Sequence, residues 1–262
     1  MNILFVSDIV GSPGREMLKR HLPALRDEHS ISLVVTNGEN TAGGFGITPQ
    51  TAGELLGTGV DVITSGNHIW DKKETAEYIA RENRLIRPAN YPPGTPGRGD
   101  ALISSGGVKV GILNLMGRVF MANLDCPFRK AKEEVARLKD EGARIIIADF
   151  HAEATSEKIA LGRYLDGEVT AVLGTHTHVQ TSDERIFPGG TAYITDVGMT
   201  GPYDSVLGVS MEKAIERFLT QMPQRFDTAK GPAILQAVMV SADPKTGRAT
   251  GIERINIGPE EV

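Results

Sequence analysis

A chain of 262 residues, 40% hydrophobic and 23% charged, suits one large α/β domain, or one domain with a small appendage. Its net charge of −5 excludes a global attraction to nucleic acid, though not a local basic patch. The single cysteine, Cys126, excludes an intrachain disulfide and fits a reducing compartment. With no apolar stretch of membrane-spanning length, no basic n-region and no cleavage site, a cytoplasmic protein is expected.

The apolar run 2–7 predicts a strand ending at Asp8. Gly11-Ser12-Pro13-Gly14 then turns the chain into a helix through about Arg26, with Ser12 as N-cap and Pro13 at the first helical position. Strand 31–36 leads into Gly38-Glu39-Asn40 and the glycine-rich turn Ala42-Gly43-Gly44-Phe45-Gly46. A helix follows from Thr48-Pro49 to about Gly57. Strand 60–64 ends in Gly66-Asn67-His68, and Asp71 is placed to cap a helix through about Glu82. The Pro- and Gly-rich stretch 88–98 reads as a surface loop. Gly106-Gly107 joins the runs 101–105 and 108–115 as a hairpin. Apolar Ala131, Val135 and Leu138 give 127–140 a helical spacing, and Gly142 is its natural stop. Strand 144–150 ends in Asp149-Phe150-His151 and is followed by helix 156–165. Strand 169–174 ends in Gly174-Thr175-His176-Thr177-His178. A β run at 191–195, a helix near 211–219 and β runs 233–241 and 249–257 complete the chain. This order predicts a mixed sheet core flanked by helices, with the irregular segment 200–231 as a small cap over the rim.

Five apolar runs therefore deliver Asp8, Glu39, Asn40, Asn67, His68, His151, His176 and His178 to strand ends. Ligands of open α/β sheets sit outside the carboxyl ends of the strands, so these residues are placed to form a metal cluster. On a regular strand, His176 and His178 share one face; on an irregular strand-end loop they can address two adjacent ions. Imidazole suits zinc, iron, manganese and related ions. Glu39 can bridge two cations with one oxygen to each, and Asn40 and Asn67 offer neutral oxygens. Each residue taken singly has a plainer reading. Asp8 and the asparagines are common turn residues, Glu39 suits a surface loop, His151 a satisfied buried histidine, and the His176/His178 pair a solvated loop. His21 and His29 fit the surface, and Trp70 fits packing. No Gly-x-Ser-x-Gly elbow accompanies Ser7, and neither a dinucleotide glycine pattern nor a P-loop is present.

Asp8, Gly38-Glu39, Gly66-Asn67-His68, His151 and Gly174 to His178 together resemble the motifs of the calcineurin-like metallophosphoesterases. Departures are specific. Val10 stands at the first motif's histidine position, Glu39-Asn40 at the usual bridging aspartate, and Ile69-Trp70-Asp71 follows Gly-Asn-His. The segments Val6 to Gly11, Asn37 to Gly44, Gly66 to Asp71, Asp149 to Lys158 and Gly174 to Thr181 resemble one branch in particular, the YmdB-like phosphodiesterases, over essentially the full chain. The resemblance implies a single four-layer α/β/β/α sandwich, residues 1–262, with mixed sheets. It also implies a site for two divalent or trivalent ions, with iron or manganese ahead of zinc. One ion would take Asp8, Glu39, Asn40 and His178, with Asn40 filling the place left at Val10. The other would take Glu39, Asn67, His151 and His176. His68 would be the catalytic, non-ligand histidine near the leaving-group oxygen.

The activity implied is hydrolysis of small phosphodiesters, notably 2′,3′-cyclic nucleotides, with regulatory effects in bacteria. Two cations about 3.5–4 Å apart neutralise the phosphate oxygens and generate a hydroxide for in-line attack. The loops 88–98 and 200–231 are placed to restrict the rim to small ligands, with Arg98, Arg118 or Tyr203 as candidate substrate contacts. No membrane partner and no long nucleic-acid track are expected; a homo-oligomer is compatible with the sequence. Two other readings remain open: a regulatory nucleotide- and metal-binding protein with weak turnover, and a metal-dependent protein phosphatase.

Overall fold

A computed structural model describes residues 1–262. Two mixed sheets face each other, and helices cover their outer sides. In the first sheet, β1 (Asn2–Val6), β3 (Ile31–Asn37) and β4 (Val62–Thr64) run parallel. On its other edge β1 pairs antiparallel with β12 (Ala233–Ala242), which pairs in turn with β13 (Ala249–Glu260) and β11 (Met199–Pro202). The two-residue β2 (Asp8–Ile9) continues from β1 and pairs with β11. In the second sheet, β6 (Val108–Met116), β7 (Ile145–His151), β8 (Ala171–Thr175) and β10 (Ala192–Ile194) are parallel. Antiparallel β5 (Asp100–Ser105) and β9 (Arg185–Ile186) close its edges.

Period-two alternation explains the layers. On β1, Ile3 and Phe5 point between the sheets, where they meet Ile112, Ile145, Ile147 and Leu173. Leu4 and Val6 point the other way, onto Met17, Leu18 and Leu22 of α1 (Gly11–Glu28) and Leu55 of α2 (Pro49–Thr58). Beyond the second sheet, Leu113, Ile146 and Phe150 pack on α4 (Pro127–Asp140) and α5 (Thr155–Tyr164). Strands buried on both faces need unbroken apolar runs, which is what the sequence supplies. The α/β/β/α order is the expected one. No helix is long and apolar enough to cross a membrane.

Two local expectations fail. Ser12 does not cap α1: the cap position is Val10, without a side-chain cap bond. The Gly11 amide instead donates to the Asn40 carbonyl (3.0 Å) and the Val10 amide to Thr200 (2.9 Å), so tertiary partners satisfy this helix start. Asp71 caps no helix either, and only the short α3 (Thr75–Ile79) forms in that stretch. The Asp71 carboxylate is engaged by the His68 ring, and the buried Thr75 hydroxyl donates to the Ile47 carbonyl (2.5 Å). In contrast, Thr48 caps α2 through a reciprocal pair with Thr51, as the Thr-Pro signal predicts.

Candidate metal centre

All five ligand-bearing segments meet at the carboxyl ends of β1, β3 and β4 in one sheet and of β7 and β8 in the other. The rim is thus shared by two facing sheets rather than belonging to one. His151 Nε2 is its focal atom. Glu39 Oε1 lies 3.0 Å from it, Asn67 Oδ1 3.0 Å and His176 Nδ1 3.1 Å. These four atoms all carry lone pairs, and a single proton cannot satisfy them together. The second group adjoins the first. His178 Nε2 is 3.8 Å from Asp8 Oδ1 and 3.3 Å from the Asn40 amide nitrogen, which also reaches Glu39 Oε1 at 3.5 Å. Asp8 Oδ1 and Asn40 Oδ1 are buried without any hydrogen-bond partner. Such oxygens are costly to bury unless something binds them. Unpartnered oxygens and converging lone pairs are the arrangement that bound cations would complete, so the residues fit a metal centre.

The electrostatics carry the same strain. Burial opposes charge on Glu39, yet the adjoining His151 pulls its carboxyl down to about 2. Burial also opposes the His151 cation, but Glu39 lifts that ring to about 9. His176, half-buried and beside cationic His151, is pushed down to about 3 by desolvation and by that charge. Burial raises Asp8 in spite of His178 and His151. Glu39 is thus a buried carboxylate kept charged by a neighbouring cation, a compensation that a bound metal ion would also supply.

Backbone contacts aim the ligands. Asp8 Oδ2 accepts from the His176 amide (3.1 Å) and Glu39 Oε2 from the His68 amide (2.9 Å). His176 and His178 both adopt positive φ, +96° and +59°, so the loop after β8 abandons strand geometry. The two rings therefore do not share a face; His176 joins the His151 group and His178 the Asp8 group. Gly66 leaves room for the centre, because a Cβ there would lie 2.2 Å from His151 Cδ2.

Several contributors carry no expectation from sequence. Asp149 is fully buried and accepts from Thr64 Oγ1, Thr175 Oγ1 (2.7 Å) and Asn37 Nδ2 (3.2 Å). Thr175 Oγ1 lies 2.9 Å from His151 Nδ1, and Asn37 Oδ1 accepts from the Glu39 amide (3.1 Å). Burial pushes Asp149 up to about 7, while three donors aimed at it favour the ionised form. Alternation places Asp149 and His151 on one face of β7, which is the signal that points to it. The buried Lys158–Asp196 pair (2.7 Å) holds the loop between the two histidines, since Asp196 Oδ2 also accepts from the Thr177 amide (3.0 Å).

His68 sits beside these groups rather than among them. Its Nδ1 lies 2.8 Å from Asp71 Oδ2, and its ring meets the edge of Phe45 at 5.0 Å. Trp70 packs edge-on to Tyr91 at 5.9 Å, in keeping with a packing role. His21 meets Glu260 at 3.1 Å and joins neither ligand group. A cavity of about 290 Å³ opens next to Glu39, Asn40, His68, His176 and His178. Its remaining wall comes largely from residues 206–226, including α6 (Met211–Thr220). Arg98, Arg118 and Tyr203 do not line it; the cation that does is Arg217. A larger cavity of about 460 Å³, at the opposite ends of β7 and β8, contains none of the ligand residues, so size does not select the site.

Residues 4–255 match the family model described as YmdB-like protein. The chain is 50% identical to the 2′,3′-cyclic-nucleotide 2′-phosphodiesterase of Bacillus subtilis (strain 168), over all of this chain and 99% of that protein. The crystal structure of a hypothetical protein from Thermus thermophilus is similar with a TM-score of 0.92 and 43% identity, covering 98% of this chain and 99% of that one. A novel phosphatase from Mycoplasma pneumoniae is similar with a TM-score of 0.94 and 35% identity, covering 100% of this chain and 94% of that one.

Proposed function

We propose that this chain, which belongs to the YmdB-like family, hydrolyses small phosphodiesters, with 2′,3′-cyclic nucleotides foremost, at a centre for two metal ions. The observation that carries this reading is the meeting of Glu39, Asn67 and His176 on His151 Nε2, beside the unpartnered oxygens of Asp8 and Asn40. The name of the Bacillus subtilis relative supports the substrate class. We assign Asp8, Glu39, Asn40 and His178 to one ion, and Glu39, Asn67, His151 and His176 to the other. Iron or manganese ranks first, and zinc also suits an O/N ligand set. Two such cations, when bound, neutralise the charge of a diester and lower the pKa of water.

The chain's own residues supply the rest. With Nδ1–H donating to Asp71, His68 keeps Nε2 to deliver a proton to the leaving oxygen. The Asp71 carboxylate stabilises the imidazolium and holds the ring's orientation. Glu39 Oε2 fixes the His68 backbone amide, so one carboxylate positions both the ligand group and the acid. No serine nucleophile is needed, and the Ser7 hydroxyl is occupied in donating to the Gly198 carbonyl.

The test is steady-state kinetics on metal-replete protein with 2′,3′-cyclic AMP, bis-p-nitrophenyl phosphate and p-nitrophenyl phosphate, alongside elemental analysis. The diesters should show the higher kcat/KM, and each chain should hold two ions. A preference for the monoester would refute the diesterase assignment. One ion or none in a folded, metal-replete sample would refute the two-ion centre. Nucleotide binding without turnover would favour a regulatory binder.

A further inference from the structure

We infer that the segment after β11 builds a nucleobase pocket, in which Phe218 and Phe226 stack the base of a cyclic nucleotide whose phosphate lies on the metal ligands. This rests on the phosphodiesterase reading and adds to it a specificity site.

The cavity beside the ligands has two chemically distinct walls. Glu39, Asn40, His68, His176 and His178 supply its polar wall; Val206, Leu207, Val209, Phe218 and Phe226 supply an apolar one, and Phe45 lies against His68. Phe218 borders the cavity and is 75% exposed, so its ring is free to receive a ligand. The Arg217 guanidinium lies 5.3 Å from the Phe226 ring centroid and has no carboxylate partner. A cation set over an aromatic ring offers a nucleobase both a π-face and a positive charge to bind. The pocket is also mechanically tied to the centre, because the Leu207 carbonyl lies 3.0 Å from His178 Nδ1. A volume of about 290 Å³ sits at the small end for ligand sites. That is room for about one nucleotide. Metal ligands beside apolar and aromatic side chains match a nucleotide; a glycerol phosphodiester has nothing to place on the rings.

The test compares kcat/KM for 2′,3′-cyclic AMP with that for glycerol 1,2-cyclic phosphate, in the metal-replete parent protein, Phe218→Ala and Leu219→Ala. The parent should prefer the nucleotide. Phe218→Ala should cut the nucleotide-to-glycerol ratio by roughly 5- to 150-fold, the contribution of one base stacked on one ring. Leu219 is 80% exposed and does not line the cavity, so Leu219→Ala should leave the ratio where it is. The exposure of Phe218 keeps the substitution out of the core, and an unchanged unfolding midpoint verifies it. Calorimetric binding of adenosine 3′-monophosphate and ribose 5-phosphate to the same proteins reads the pocket independently of turnover. A parent that turns over neither diester, but binds the nucleotide through Phe218, would overturn the diesterase reading and uphold the pocket. An unchanged ratio in Phe218→Ala, or equal affinity of the parent for nucleotide and ribose phosphate, would overturn the pocket.

Discussion

Replacing Asp149 by asparagine should weaken metal binding while leaving every proposed ligand in place. Thr175 Oγ1 donates to Asp149 Oδ1 at 2.7 Å, so the same oxygen accepts from His151 Nδ1 at 2.9 Å. That relay fixes the proton on Nδ1 and frees the Nε2 lone pair, which faces Glu39, Asn67 and His176. An amide whose oxygen still faces Thr64 and Asn37 turns its NH2 toward Thr175. The hydroxyl must then accept from the amide and donate to His151, which forces the Nε2–H tautomer. The opposite amide rotamer sets NH2 against the Asn37 NH2, 3.2 Å from Asp149 Oδ2 in the parent, and leaves two buried donors facing each other. The first outcome removes orientation from the His151 ligand; the second displaces Asn37, whose Oδ1 accepts from the Glu39 amide. Loss of such an outer partner costs roughly 10- to 100-fold in metal affinity, or about 1.4–2.8 kcal/mol. Calorimetric titration of the metal-stripped protein with Mn²⁺ at pH 8 measures it, and imidazole ¹⁵N shifts report the tautomer. Thr175→Ser should retain parent affinity and Thr175→Val should lose it. The relay needs Asp149 ionised, and burial pushes its pKa up to about 7. The parent's advantage should therefore be full above pH 7 and shrink as pH falls below it. Parent-like Mn²⁺ affinity in Asp149→Asn at pH 8 would refute the relay.

His68→Ala should retain both ions by elemental analysis while losing roughly 10²–10⁴-fold in turnover; loss of an ion from the folded variant would make His68 a ligand instead. Gly66→Ala should cost the His151 ion, because its Cβ would sit 2.3 Å from His151 Nε2 and the buried ring has nowhere to retreat. An unchanged metal content would contradict that packing. In chelator, the Glu39–His151 pair should stabilise the fold within a definite pH window. Glu39 is lowered from 4.5 to about 2, so its contribution is present above 4.5 and lost as pH falls toward 2. His151 is raised from 6.5 to about 9, so its contribution is complete below 6.5 and lost as pH rises through 9. The difference in urea midpoint between parent and Glu39→Gln should accordingly peak between pH 4.5 and 6.5; a difference that does not vary with pH would show that the two groups are uncoupled.

Strand ends and the residue types placed on them were legible in the sequence, because both follow from local pattern. An apolar run buried on two faces must stop where polar groups begin, and Asp8, Glu39, Asn67, His151 and His176 stand at those stops. Helix signals were legible where a side chain caps its own backbone, as at Thr48. They failed at Ser12 and Asp71, where groups distant in sequence or in the site itself claim the same atoms. Local pattern did not reveal that the rim is assembled from two facing sheets; only the family resemblance implied a two-sheet sandwich. That arrangement depends on β1 pairing with β12, nearly the whole chain away, a choice made by summed packing and not by any neighbouring residue. Alternation along β7 puts Asp149 on the His151 face, but only the β7–β8 register, with His151 opposite Thr175, brings the hydroxyl between them. Which side chains of the segment 206–226 face the cavity, Arg217 among them, was likewise decided by tertiary structure. A short amphipathic helix reads the same from sequence wherever it lies, and its meaning comes from what its apolar face is set against.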